Sequence, residues 1–169
     1  MILALKWFAP ITLTAMGLAW ISEQVALLLG FEPPPQDLVK LFTNPNVAWQ
    51  IKAKYAAIAV LLAPVLEELI FRMGLFRFCL WCGRRIKKAD AEVWNGVPAF
   101  PAVSALISGA VFAAVHLHAA TFVPLWFLGV AFAWLYWKSG TVFSSMLCHF
   151  LFNLVNLVLC LFIGDQLSK

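Results

Sequence analysis

Charge is scarce in this sequence: 12% of its 169 residues are Asp, Glu, Lys or Arg, while 63% are hydrophobic and the mean hydropathy is +0.90. Soluble domains carry roughly 25% charged residues, so a water-soluble core is excluded and a polytopic membrane protein is expected. Tyrosine is also rare, at two residues, but eight Trp and fifteen Phe supply rings suited to lipid-facing and interfacial positions. The four cysteines lack the spacing of a disulfide framework. Cys79 and Cys82 form an isolated C-x-x-C with no second ligand pair, and Cys148 and Cys160 sit in apolar runs as small hydrophobes. The N-terminal stretch "MILALKWFAP" lacks a small-residue cleavage site, so it is expected to be a retained anchor. No internal repeat is visible.

What charge there is has a pattern. The net charge of +4 gathers largely in "RRIKK" at 84–88, beside an apolar run, which positive-inside topology explains without a nucleic-acid partner. A spanning helix needs about 20 mostly apolar residues. Five such spans are expected, at about residues 7–30, 55–78, 101–120, 121–137 and 141–163. The fold class is therefore all-α, a transmembrane helical bundle. Three prolines in "GFEPPPQD" stop the first span, and a short surface helix can follow within 31–54. Lys6, Arg77, Arg84, Arg85, Lys87, Lys88 and Lys138 fall on one side, and Lys40, Lys52, Lys54 and Lys169 on the other. The N-terminus is accordingly expected in the cytoplasm and the C-terminus outside.

Against this apolar background the ionisable residues of the second span, "APVLEELIFR", need an explanation, because charge in hydrocarbon is costly. Glu68 and Arg72 lie four apart and can pair along one face. Glu67 points about 100° away and has no basic residue within one turn, so its partner must come from another helix. The third span offers His116 and His118, about 200° apart, of which only one can face Glu67; Phe112, four residues before His116, can brace its ring. In the fifth span His149, Asn153 and Asn156 make a polar stripe. Each group alone has a structural explanation, such as interhelical hydrogen bonding, but acid, imidazole and amide on three helices point to one shared site. Pro64 deprives the Val60 carbonyl of its helical partner; either the span restarts just before Glu67 or this is an ordinary membrane-helix proline.

Three ordered motifs, "EELIFR" (67–72), "FAAVH" (112–116) and "HFLFN" (149–153), resemble those of the CAAX protease and bacteriocin-processing family of intramembrane proteases. The resemblance covers about residues 55–163, making 55–169 a protease core and 1–54 an added helix and proline-containing loop. It implies an intramembrane endopeptidase that acts near the C-terminus of a membrane-associated protein or peptide by glutamate-activated water. It also implies a catalytic Glu67, a water-sharing His116, an oxyanion-side His149 and Asn153, and supporting roles for Glu68, Arg72, Phe112 and Asn156. Small bacterial members are associated with C-terminal sorting tails or peptide processing, so a prokaryotic cytoplasmic membrane is expected. No cofactor is expected; the alternative is Zn²⁺ on Glu67, His116 and His149, although H-E-x-x-H is absent. Outside this class stand a proton-coupled transporter, which the missing repeat disfavours, and a non-catalytic bacteriocin-immunity protein. A serine protease using Ser108 would leave the two glutamates unexplained.

Overall fold

The structure is a computed structural model that describes residues 2–32, 34, 36–86, 92–94 and 97–167. Its helices are α1 (Ile2–Leu28), α2 (Asp37–Thr43), α3 (49–86), α4 (Ala99–Ala114), α5 (Phe122–Ser139) and α6 (Val142–Leu167). Two short antiparallel strands, Glu92–Trp94 and Val97–Pro98, lie between α3 and α4. Each of the five expected spans falls on one of these helices, and α2 is the expected surface helix. Among the described residues, three stretches are long and apolar enough to cross a membrane: Ile2–Leu28, Ala119–Ser139 and Val142–Phe162. The other two depart for visible reasons: α4 has 16 helical residues, and α3 carries Glu67, Glu68 and Arg72. Lys87, Lys88 and Lys169, which contribute to the charge asymmetry, lie outside the described residues.

Helix α3 is not uniformly α-helical. It widens to π geometry at Ile58–Leu62 and again at Leu69–Phe76, leaving the six α-helical residues Ala63–Glu68 between two wide turns. Pro64 explains the first. The Ala63 N–H reaches back five residues to the Ile58 carbonyl, and in that register the Ala59 carbonyl falls to Pro64, which has no N–H to give. The orphan carbonyl expected at Val60 is thus moved one residue back.

The third expected span is shorter than anticipated, ending at Ala114 rather than Ala120. Its last turns tighten: the His116 and Leu117 N–H groups bond three residues back, to Ala113 and Ala114. Leu117 then takes a positive φ of 52°. His118 lies beyond the helix, with Nε2 2.8 Å from the Pro34 carbonyl oxygen.

The core forms where α1, α5 and α6 meet, with Ile11, Ala15, Leu128, Phe132, Leu135 and Cys148 buried together. Helices α4 and α5 cross at Gly109 and Gly129, where a methyl group on Gly129 would lie 2.6 Å from the Gly109 Cα. The clash is with backbone, so no rotamer change relieves it, and only separating the helices would. Gly129→Ala should therefore destabilise the bundle by about 1–3 kcal/mol, read as an earlier thermal transition in detergent. An unchanged transition would show that this crossing is not tight.

Candidate active site

The site is built around a buried guanidinium. Arg72 is fully buried and engages both oxygens of the equally buried Glu68, with Nε donating to Oε2 at 2.9 Å and Nη2 to Oε1 at 3.2 Å. Its Nη1 donates to Ser108 Oγ at 3.3 Å, and that hydroxyl donates in turn to the Phe71 carbonyl at 3.0 Å. The Phe112 and Phe132 rings flank the cation, with centroids 5.3 and 5.8 Å from Cζ. This is the pair expected from the i, i+4 spacing, and its bidentate geometry and extra donors are what a buried ion pair needs to be tolerated. Ser108 is fully buried in this support, which removes it as a hydrolytic nucleophile.

His149, from α6, lies between the two glutamates. Its Nδ1 is 3.1 Å from Glu68 Oε1, and its Nε2 is 3.7 Å from Glu67 Oε2. Phe132 stacks on the imidazole with centroids 4.8 Å apart, and Phe112 meets it edge-on at 5.9 Å. The ring is only 4% exposed, whereas the Glu67 side chain retains 27% exposure. Glu67 Oε2 is buried at the atomic level and has no hydrogen-bond partner.

The imidazole set beside Glu67 is that of His149. His116 turns back on its own helix: Nδ1 donates to the Phe112 carbonyl at 2.7 Å, and its ring lies 4.8 Å from the Phe112 ring. Because the His116 N–H bonds Ala113 instead, the imidazole supplies the partner that the Phe112 carbonyl lost, and the expected brace forms. Asn153 reaches the unusual backbone of α3, where Nδ2 donates to the Ala59 carbonyl at 2.8 Å, the carbonyl that Pro64 leaves without a partner. Asn156 is separate from this cluster and bonds the Phe152 carbonyl within its own helix.

Two contributors carry weaker signals in the sequence. Ser104, Ser108, Phe112 and His116 recur every four residues and so mark one face of α4, which places Ser108 toward the site. Phe132 lies in an unbroken apolar run with nothing to distinguish it. Glu67, His116 and His149 do not gather as a three-ligand set, and no group of three or more metal-ligating side chains is found among the described residues.

The family model described as type II CAAX prenyl endopeptidase Rce1-like matches residues 49–155. No curated protein and no solved structure matches the chain.

Proposed function

The chain belongs to the Rce1-like type II CAAX prenyl endopeptidases and is an intramembrane protease; from that premise we propose that it cleaves a peptide bond near the C-terminus of a membrane-associated protein, using water activated by Glu67. The observation that carries this reading is the unpartnered Glu67 oxygen beside the His149 imidazole. A carboxylate with one oxygen free of hydrogen bonds, beside an imidazole packed between aromatic rings, has the properties of a general base.

In this reading water lies against Glu67 Oε2 and attacks the carbonyl carbon, while Glu67 takes the proton. The carbon–nitrogen bond then breaks, and the proton passes from Glu67 to the departing amine. One N–H of the Asn153 amide holds Ala59; the other is assigned to the developing oxyanion. The Phe112 carbonyl and ring brace His116 at the end of α4. Glu68 and Arg72 support the site without touching the substrate. The loop charges favour a cytoplasmic N-terminus, and the substrate class proposed is a prokaryotic C-terminal tail or processed peptide.

Purified protein in detergent, given a peptide with an apolar C-terminal tail, should hydrolyse it at a rate unchanged by phenanthroline. Chelator inhibition reversed by zinc would overturn the metal-free mechanism.

A further inference from the structure

We propose that the protein holds an anionic phospholipid where α4 begins and α5 ends, with an acyl chain in an apolar cavity between those helices and the phosphate at Lys138.

The cavity measures about 230 Å³. Phe76 from α3, Ala105 from α4 and Ala133 from α5 form its buried floor, while Trp134, Trp137 and the exposed Leu106 carry its wall out to the surface of the bundle. None of the residues gathered around Glu67 and His149 lines it. The contact of Gly109 with Gly129 draws α4 and α5 together one turn away, and the side chains of Ala105 and Ala133 are too small to fill the space beyond. A space with so little polar lining offers water none of the two to four partners it needs. In a bilayer the molecules at its mouth are lipids, whose tails are as apolar as the wall, so hydrocarbon is what enters.

Charge at the rim selects among lipids. The exposed Lys138 follows Trp137 at the end of α5, and its Nζ lies 4.5 Å from the centroid of that ring. The ammonium is thereby held against the cavity wall, yet a ring face occupies only one side of it. Among the described residues no carboxylate pairs with it. More positive charge comes from α3. A methyl group on Gly83 would lie 3.0 Å from the ring of Phe100, the neighbour of Pro101 in the cavity wall, so the exposed Arg84 and Arg85 stand at the same end of the bundle. Arg85 is also held over an indole, with Cζ 4.8 Å from the Trp81 centroid. An apolar cavity between helices beneath such cations fits an anionic headgroup with its tail, whereas a zwitterionic lipid would bring its own ammonium toward Lys138.

The test uses the full chain in phosphatidylcholine bilayers doped with phosphatidylglycerol brominated on its acyl chains, because bromine quenches an adjacent indole. Tryptophan fluorescence should be half-quenched at about one-fifth of the concentration that brominated phosphatidylcholine requires, the preference one cation near a phosphate supplies at low salt. Lys138→Gln, a change at an exposed position, should remove most of that preference. Ala102→Phe, which fills the cavity from its α4 wall, should abolish saturable quenching by both lipids. Equal quenching by the two lipids in the unmodified chain would overturn the proposal. So would a preference left undiminished in Lys138→Gln, which would mark diffuse attraction to the basic end of the bundle. Displacement of the lipid by a peptide with an apolar C-terminal tail would give the cavity to substrate and overturn the proposal as well. Should Ala102→Phe fail to fold, Lys138→Gln and the two lipids decide. Hydrolysis enters none of these measurements, so the lipid site and the role of Glu67 fail separately.

Discussion

Glu67→Gln is expected to leave a folded protein with hydrolysis reduced by about 10²- to 10⁴-fold, the contribution of a positioned general base. The substitution keeps shape and one carbonyl oxygen but removes the ability to take a proton. It should cost little stability, since Glu67 Oε2 has no hydrogen bond to lose and the side chain is 27% exposed. The neighbouring glutamate behaves oppositely. Glu68→Gln alone leaves the Arg72 cation buried without the carboxylate charge that compensates it, so its first effect is on folding. Peptide hydrolysis measured beside a thermal transition in the same detergent separates the two. Full hydrolysis by Glu67→Gln would remove the carboxylate from the chemistry, whereas full biological activity in a Glu67→Gln variant that no longer hydrolyses peptide would return the immunity-protein reading.

That contrast is partly legible in the amino-acid sequence. The i, i+4 spacing of Glu68 and Arg72 identifies a pair within one helix, and the same spacing leaves Glu67 to seek a partner elsewhere. Spacing within a helix says nothing, however, about the relative height of two helices, so the approach of His149 to both glutamates is not legible. The early end of α4, with His118 beyond it, is not signalled either. No Gly or Pro marks residues 115–121, and helix propensity alone would carry the helix through His116. The ending goes instead with a local bond from His116 to Phe112 and a tertiary one from His118 to Pro34. Pro64 does signal a backbone disturbance. The π register, which moves the orphan carbonyl from Val60 to Ala59 and brings Asn153 to it, lies beyond what a proline alone reveals.

Asn153→Ala is expected to reduce hydrolysis by about 10²- to 10³-fold, the usual loss for one oxyanion donor. It should also lower stability by about 1–3 kcal/mol, because the Ala59 carbonyl is left without its partner. These two effects have different sources and can be pulled apart at Pro64. Replacing Pro64 by alanine restores an N–H at the position whose absence orphaned Ala59, so Asn153→Ala/Pro64→Ala should recover part of the lost stability. It should recover none of the lost rate, since a backbone N–H inside α3 cannot stand in for an amide directed at the substrate carbonyl. Thermal transitions and kcat on the two single variants and the double close the cycle. If hydrolysis returns together with stability, Asn153 serves only as a clamp on the wide turn of α3, and the oxyanion donor must be sought elsewhere.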